Sequence, residues 1–315
     1  MKKLLFIFTL FFGFNLMAEN IQYVELDNGY KVWTKRVGHG PIKVLTLHGG
    51  PGVSHEYLED SFKNRFSEDE FEVIFYAQLG SFNSDQPDDL SLWAVDRFRE
   101  EVEKVRKALE LDQFYIFGQS WGGMLAIEYA LKYQQHLRGL ILSNTPGSIQ
   151  SYETYINQLR LKLPTETQEQ LRSYEEKKDF SNPDYQKLMI EEVYSRHVCR
   201  LNPWPEALAL TFQHMNEKVY LTMQGPNEFI ISGNFKNWNR WDDFPKISVP
   251  TLVISGRHDT INPADSIKMA GLIPQGKAKI CENGSHLSLY DDADNYFSAM
   301  LEFLRVSTHP LQSSQ

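Results

Sequence analysis

The sequence predicts an α/β fold with a mostly parallel central sheet, helices on both of its faces, and an inserted helical cap. Apolar segments of strand length alternate with helical segments over about the first 145 residues, and the alternation returns after about residue 245. Residues 146–245, which lie between, have helical periodicity, aromatic residues and many charges but few candidate strands. A chain of 315 residues is long enough for one large domain with such an insertion.

The first part of the predicted core, residues 19–145, begins with a hairpin. Its two strands lie on either side of the tight turn Asp27-Asn28-Gly29, a sequence that favours a sharp reversal of the chain. The remaining segments alternate between the periodicity of strands and that of helices. Strands are predicted at residues 21–26, 30–36, 42–47, 71–77, 114–117 and 137–142, and helices at residues 90–111 and 124–133.

The predicted cap, residues 146–245, is followed by the second part of the core, residues 246–315. Because the same strand-and-helix pattern flanks the cap on both sides, an insertion into one fold explains the pattern better than two tandem domains. Helices are predicted in the cap at residues 152–163, 167–178 and 184–198. The core then continues with strands at residues 251–255 and 277–281 and helices at residues 263–270 and 293–305.

The composition excludes several classes of protein. With 42% hydrophobic and 23% charged residues, the chain is typical of a globular protein and not of a disordered or collagenous one. A net charge of -9 gives no basic face for nucleic acid, so no nucleic-acid partner is expected. Two cysteines cannot form a disulfide framework or a CxxC zinc site, and we expect Cys199 and Cys281 to be separate thiols.

Residues 1–18 are predicted to be a secretory signal peptide. Lys2 and Lys3 precede an apolar run at residues 4–14, and the small residue Ala18 precedes the predicted cleavage point. An uncleaved membrane anchor is the alternative, but the run is shorter than the roughly 20 residues that a spanning helix needs. Cleavage would change the net charge from -9 to -11. We expect the mature protein to be periplasmic or secreted, without a membrane span.

The strongest chemical motif is Gly118-Gln119-Ser120-Trp121-Gly122, between a predicted strand and a predicted helix. A serine on such a strained turn needs small neighbours, and the turn exposes its hydroxyl beside the amino end of the helix. A glycine-rich turn with an incidental serine is the alternative. The position between strand and helix favours Ser120 as a nucleophile.

A second glycine-rich segment, His48-Gly49-Gly50-Pro51-Gly52, directly follows the strand predicted at residues 42–47. Glycines suit an oxyanion hole because backbone N–H groups there must face open space. We expect the N–H groups of Gly50 and Trp121 to form this hole. His48, which precedes the glycines, is expected to brace the loop and not to take part in the chemistry.

Two further loops contribute the other candidate catalytic residues. Asp259 follows the strand predicted at residues 251–255, and His286 follows the strand predicted at residues 277–281. A carboxylate in the first loop can orient a histidine in the second, which can act as base and then as acid. The pair completes the chain order serine, aspartate, histidine. The other aspartates weighed for this role are Asp242, Asp243, Asp265 and Asp291.

Together these motifs, HGGPG, GQSWGG, GRHD and GSH, resemble the α/β-hydrolase fold, and the first two are similar to the proline iminopeptidase family. The similarity continues into the cap, at residues 196–206 (RHVCRLNPWPE) and 225–229 (GPNEF). It covers most of residues 21–305. The resemblance implies a serine exopeptidase that releases an N-terminal residue, often proline, from short peptides or aminoacyl amides through an acyl-enzyme. It requires no metal or organic cofactor.

The resemblance also implies an amine-binding carboxylate in the cap. Glu228 occupies the matching position in GPNEF, and charge-assisted hydrogen bonds to a carboxylate favour a cationic amine. The chain departs from relatives in two places. Thr260 stands where some relatives have a second glutamate, and Ala77 stands where the family usually has an aspartate. The candidate replacements for the missing glutamate are Glu191, Glu192 and Glu206.

Other functions remain open from the sequence alone. An amino-acid amidase or carboxylesterase would use the same three residues without needing a free amine, since this fold hosts many chemistries. A binding protein that had lost catalysis would be expected to lack one of the three. A membrane-anchored protein would retain residues 1–18. The sequence makes no prediction of oligomeric state.

Overall fold

The computed structural model describes residues 20–308, which fold around an eight-stranded sheet. In chain order the strands are β1 (Asn20–Glu25), β2 (Lys31–Gly38), β3 (Ile42–Leu47), β4 (Phe71–Tyr76), β5 (Phe114–Gln119), β6 (Leu137–Ser143), β7 (Thr251–Gly256) and β8 (Gly276–Cys281). Their spatial order is β1-β2-β4-β3-β5-β6-β7-β8. The predicted α/β class and mostly parallel sheet are confirmed.

Strand direction determines where the functional loops lie. β1 and β2 form an antiparallel hairpin, and β2 also pairs with β4 in the antiparallel sense. Every other neighbouring pair, from β4 through β3 to β8, is parallel. The carboxyl ends of β3, β5, β7 and β8 therefore meet at one edge of the sheet. The loops that follow these four strands carry the motifs identified in the sequence.

Helices cover both faces of the sheet, because strand side chains alternate between two buried clusters. The core helices are α1 (Glu56–Phe62), α2 (Val95–Ala108), α3 (Trp121–Tyr133), α10 (Pro263–Leu272), α11 (Ser288–Asp291) and α12 (Ala293–Thr308). Leu45 and Ile116 face the cluster that contains α2, α3 and α10. Val44 and Phe117 face the other cluster, which contains α1 and α12.

A helical segment, here called the cap, lies between β6 and β7. Its helices are α4 (Ile149–Arg160), α5 (Thr165–Glu176), α6 (Pro183–Met189), α7 (Ser195–His197), α8 (Glu206–Gln213) and α9 (Glu217–Met223). One anchor to the core is Glu128 on α3. It accepts hydrogen bonds from Trp238 Nε1 at 2.7 Å and from Arg240 Nε at 2.6 Å.

A second anchor of the cap is Asn216, which precedes α9. Its side-chain oxygen accepts hydrogen bonds from the backbone N–H groups of Lys218 and Val219, and so caps the helix. Its side-chain amide donates to Gly80 O at 2.9 Å, and its backbone N–H donates to Gly52 O at 2.8 Å. The start of α9 is therefore fixed to two loops of the core.

Several predicted helices differ from the observed ones, and α4, for example, begins three residues before its predicted start at residue 152. Residues 90–111 begin with a 3₁₀ turn at Leu90–Leu92, and α2 starts only at Val95. α3 starts at Trp121 and not at residue 124, because its first turn contains glycines that weaken the helical pattern in the sequence. The predicted helix at residues 184–198 is divided into α6, a π-helical turn at Ile190–Tyr194, and α7.

Two further observations concern the rest of the chain. Cys199 and Cys281 are buried free thiols. None of the helices in residues 20–308 has the length and apolar character needed to cross a bilayer. The predicted signal peptide lies outside the described residues.

Candidate active site

Ser120 lies on a sharp turn between β5 and α3, with a φ of 55°. A non-glycine residue with positive φ is uncommon, and here the turn is enforced by tight packing on both sides of the serine. A Cβ on Gly118 would lie 2.1 Å from Gly122 O, and one on Gly122 would lie 2.1 Å from Leu47 O. Only glycines fit at these two positions, so the sequence motif follows from the geometry of the turn.

The structure brings Ser120, His286 and Asp259 together. Ser120 Oγ lies 3.0 Å from His286 Nε2, which suits donation of the hydroxyl proton to the ring. His286 Nδ1 lies 2.8 Å from Asp259 Oδ1 and donates to it. His286 and Asp259 are buried, with 6% and 0% of their surface exposed. The ring is therefore held in one orientation and one tautomer by the carboxylate.

The pKa of His286 reflects two opposing influences. Burial lowers it, but the negative charge and the hydrogen bond of Asp259 raise it more, so the net pKa lies above the usual value of 6.5. The ring is thus made more basic than a free imidazole. This is the property required of a group that accepts the serine proton.

Asn144, which the sequence analysis did not identify, helps to hold Asp259. It directly follows β6, and its side-chain amide donates to Asp259 Oδ2 at 2.7 Å and to Ser285 O at 2.9 Å. The backbone N–H of Ile261 donates to the other oxygen of Asp259. The available signal in the sequence was a polar residue at the carboxyl end of a buried strand. Its role was not predicted because its partners are more than 100 positions away in the chain.

The second loop of the site, Gly49–Gly50, lines the same cavity as Ser120. The N–H of Trp121, in the first residue of α3, has no partner within the helix, as at every helix start. These positions are compatible with an oxyanion hole formed by Gly50 and Trp121. A helix amino end beside the serine also favours developing negative charge.

His48 and Gln78 brace this loop from below. His48 is fully buried; its Nδ1 donates to Gly49 O at 3.0 Å and its Nε2 accepts from Gln78 N at 3.1 Å. Burial lowers the pKa of His48 to about 3, so the ring is neutral at ordinary pH. Gln78 Oε1 also accepts a hydrogen bond from the indole N–H of Trp121 at 2.8 Å. The two sides of the proposed oxyanion hole are thus joined through one glutamine.

Glu228 lies at the same cavity, where two tyrosines hold its carboxylate. Tyr220 donates its hydroxyl to Glu228 Oε1 at 2.7 Å, and Tyr152 donates to Oε2 at 2.9 Å. Burial and the negative charge of Glu228 raise the pKa of both tyrosines well above its usual value. Both hydroxyls therefore stay protonated and act as donors. The carboxylate has a fixed orientation facing the cavity that Ser120 and His286 also line.

The alternative amine-binding acids do not lie in this cavity. Glu192 pairs with Arg196, Glu191 lies 3.9 Å from Lys187 Nζ, and Glu206 is exposed at the start of α8. Thr260, at the position of the missing glutamate, is buried, with its hydroxyl 3.3 Å from Asp259 Oδ1 and 3.5 Å from the Tyr152 hydroxyl. Glu228 is thus the carboxylate that the described residues place beside the catalytic cluster.

Of the aspartates weighed against Asp259, Asp291 lies nearest to the site. It accepts hydrogen bonds from the backbone N–H and the hydroxyl of Ser285, the residue before His286. It therefore supports the histidine loop without contacting the ring. Within residues 20–308, no group of three or more His, Cys, Asp or Glu side chains is arranged to hold a metal ion.

The cavity has a volume of about 720 Å³ and lies between the core and the cap. The core contributes Ser120, His286 and the Gly49–Gly50 loop. The cap contributes Glu228, Tyr220 and much of the apolar wall. A hydrogen-bonded serine, histidine and aspartate at the carboxyl ends of strands in a mostly parallel sheet define a serine hydrolase.

Comparisons with known proteins identify the family. Residues 43–293 match the family model described as alpha/beta hydrolase fold. A proline iminopeptidase of Flavobacterium johnsoniae is 45% identical over 279 residues, which is 87% of this chain and 94% of that protein. The crystal structure of a Mycobacterium smegmatis proline iminopeptidase superposes with a TM-score of 0.84 at 30% identity and covers 91% of this chain and 98% of that chain. The crystal structure of VinJ superposes with a TM-score of 0.86 at 33% identity, with the same coverage. The chain belongs to the proline iminopeptidase family of α/β hydrolases.

Proposed function

We propose that this protein is a serine exopeptidase that releases an N-terminal residue, proline by preference, from short peptides or aminoacyl amides. One observation supports this most directly. The hydrogen-bonded residues Ser120, His286 and Asp259 share a cavity with Glu228, a carboxylate oriented by two tyrosines. A nucleophile beside a fixed negative charge suits a substrate whose scissile carbonyl is close to a cationic amine. The proline preference rests on the similarity of the chain to proline iminopeptidases.

In the proposed reaction, Ser120 Oγ attacks the carbonyl of the first residue while His286 Nε2 accepts its proton. The N–H groups of Gly50 and Trp121 stabilise the oxyanion, and Asp259 stabilises the imidazolium. His286 then transfers the proton to the leaving amine as the scissile C–N bond breaks. Water, deprotonated by the same histidine, attacks the ester and releases the amino acid. As the ester C–O bond breaks, His286 returns the proton to Ser120 Oγ, so the proposed cycle consumes water and otherwise uses groups of the protein.

The test is a panel of substrates hydrolysed by the purified protein, with Ser120→Ala as the inactive control. The panel contains proline, alanine and leucine anilides, an N-acetylated proline anilide, and a short acyl ester. We expect cleavage of the free-amine anilides, fastest for proline, and no cleavage of the acetylated one. Glu228→Gln should lower kcat/KM for the free-amine substrates roughly 10- to 100-fold, since it removes a charge-assisted contact.

The outcomes separate the proposed function from its rival. Cleavage of the ester alone, or equal cleavage of the acetylated and free anilides, would contradict the peptidase proposal. Either result would favour a carboxylesterase or an amidase without amine recognition. An unchanged kcat/KM in Glu228→Gln would remove Glu228 from the amine site while leaving the catalytic residues in place.

We also propose that the protein is exported, and that residues 1–18 are removed. The support is the order of a positive head, an apolar run and a small residue in the sequence. Intact-mass measurement of the protein made in its natural host should show a chain that begins at Glu19. A mass that includes residues 1–18, with the protein in the membrane fraction, would contradict export with cleavage.

A further inference from the structure

The catalytic cavity has a closed end and an open end. At the closed end, Tyr152 and Tyr220 are buried beneath Glu228, with 5% and 7% of their surface exposed. At the open end, three large apolar side chains both line the cavity and reach solvent: Ile190 is 49% exposed, Phe212 is 37% exposed and Leu221 is 53% exposed. Because these three residues line the cavity and also reach solvent, they mark the place where the cavity opens.

This geometry sets the direction in which a substrate lies, given the proposed function. The amine of the first residue binds Glu228 and the scissile carbonyl lies at Ser120. The buried tyrosines block the chain from continuing beyond Glu228. The part of the substrate that follows the scissile bond must therefore extend toward the open end, past Ile190, Phe212 and Leu221.

The cavity is larger than a single residue requires. Its volume of about 720 Å³ falls within the range, roughly 300–1,000 Å³, of pockets that hold whole drug-sized ligands. The first residue occupies the closed end only. The remaining space belongs to the leaving part of the substrate.

The open end carries both apolar and polar side chains, since Ser181 and Gln186 line the cavity and are exposed, as are Ile190, Phe212 and Leu221. Its three exposed apolar residues come from three separate elements, the π-helical turn, α8 and α9. Half-buried Trp204, Met215 and Phe180 continue the apolar lining behind them, and the rings of Trp204 and Phe212 lie 5.7 Å apart. The exposed charged residues at the rim, Lys178 and Glu217, have opposite signs, so together they select for neither charge. Exposed apolar residues at a cavity mouth are typical of a binding surface.

We propose that Ile190, Phe212 and Leu221 form a subsite for a large apolar side chain on the second residue of the substrate. The substrates favoured by this protein are then short peptides in which the released residue is followed by an apolar residue such as leucine, norleucine or phenylalanine. The proposal rests on the proposed function and adds to it a preference on the leaving side of the bond. The energetic source is removal of the apolar side chain and the three lining residues from water.

The test compares dipeptide amides that differ only at the second residue. Pro-norleucine-amide and Pro-lysine-amide have side chains of similar length, one apolar and one charged, and leaving amines of the same chemical type. We expect kcat/KM to be at least roughly tenfold higher for norleucine than for lysine or for glycine, as one well-buried aliphatic side chain provides. A ratio near one in the unmodified protein would overturn the proposal.

Two variants assign the preference to the subsite. In Phe212→Ala/Leu221→Ala, the ratio of kcat/KM for Pro-norleucine-amide to kcat/KM for Pro-glycine-amide should fall several-fold. Leu161→Ala is the matched control, because Leu161 is 74% exposed on the cap and does not line the cavity. A double variant that keeps the full ratio would overturn the proposal even if the unmodified protein shows the preference.

An N-acetylated Pro-norleucine-amide distinguishes this proposal from the one it depends on. If the acetylated substrate is cleaved as well as the free one, the exopeptidase function itself is wrong. If only the free amine is cleaved and the second residue has no effect, the exopeptidase function stands and the subsite is wrong.

Discussion

Tyr220 donates its hydroxyl to Glu228 at 2.7 Å, and its ring lies near Gly50, where a Cβ placed on the glycine would be 3.5 Å from ring carbon Cε2. One side chain thus contacts the proposed amine-binding carboxylate and lies near the proposed oxyanion hole. Its helix, α9, is fixed at its start by Asn216, which donates to Gly52 O and Gly80 O. The cap and the core are joined at the point where substrate recognition and chemistry meet.

The first prediction concerns Tyr220→Phe, which removes the hydroxyl and keeps the ring. Glu228 loses a donor that holds its carboxylate in place, so we expect kcat/KM for Pro-anilide to fall about tenfold, the usual size of a hydrogen bond to a charged group. The effect should appear mainly in KM. Tyr133→Phe is the control, because its hydroxyl donates to Glu100 at 2.6 Å on the exposed surface. Equal kinetics in the two variants would contradict the role of Tyr220.

The second prediction concerns the pH profile. His286 must be neutral to accept a proton, so activity is lost as pH falls through its pKa, which lies above 6.5. In Asp259→Asn, burial still lowers the pKa of His286, but the negative charge that raised it is gone. The acid limb of the kcat/KM profile should therefore move to lower pH. The rate at the plateau should also fall, by up to about 10⁴-fold. An acid limb at the same pH in both proteins would show that another group controls it.

The third prediction concerns stability and His48. The pKa of His48 is about 3 in the folded protein and near 6.5 in the unfolded chain, so between these values only the unfolded chain binds the proton. The free energy of unfolding should therefore fall as pH drops below 6.5, by about 1.4 kcal/mol per pH unit from this group. In His48→Gln that contribution disappears. Urea unfolding at pH 7 and pH 5 should show about 2 kcal/mol less acid destabilisation in the variant.

The control for this measurement is His39→Gln, because the His39 side chain is 75% exposed. It should keep the acid destabilisation of the unmodified protein. His286, with its raised pKa, contributes in the opposite direction: its stabilisation is present below 6.5 and lost as pH rises through the folded pKa. This contribution of His286 is the same in both variants and cancels from the comparison. Equal acid destabilisation in His48→Gln and the unmodified protein would contradict the buried neutral ring.

The fourth prediction concerns the attachment of the cap. Glu128 is buried on α3, and its removal in Glu128→Ala leaves Trp238 Nε1 and Arg240 Nε without their acceptor. We expect a loss of about 1–3 kcal/mol in the free energy of unfolding, measured in urea. Glu169→Ala, at an exposed position on α5, should change stability by no more than about 0.5 kcal/mol. A loss no larger than that of the control would show that the cap does not depend on this anchor.

Much of the core fold could be predicted from the sequence because its strands are apolar and are separated by helical periodicity. The segments at residues 42–47 and 71–77 match β3 and β4 closely. The spatial order of the strands could not be read in the same way, since β4 lies between β2 and β3 through pairings that no local pattern specifies. Helix starts were misplaced, for example where glycines begin α3 and where a 3₁₀ turn precedes α2, and a π-helical turn divides another predicted helix.

The residues of the candidate site were likewise predicted only in part from the sequence. Ser120, Asp259 and His286 each follow a strand in a motif whose glycines have a geometric reason, and the structure brings the three side chains together. Asn144 and Tyr152 were missed because their partners are distant in the chain, whereas Tyr220 was missed although it lies only eight positions before Glu228. Tyr152 and Tyr220 lie in helices, where an aromatic residue is usually interpreted as part of the core. Their significance becomes visible only once Glu228 lies between their hydroxyls.

The groups proposed to move protons and those proposed to select the substrate occupy separate stretches of the chain. Ser120, Asp259 and His286 follow strands of the sheet, whereas Glu228, Ile190, Phe212 and Leu221 all belong to the segment between β6 and β7. That segment leaves the sheet after one strand and rejoins it at the next, so its sequence can diverge without disturbing strand pairing. Replacing it with the cap of a relative should exchange the substrate preference of the enzyme and retain its chemistry.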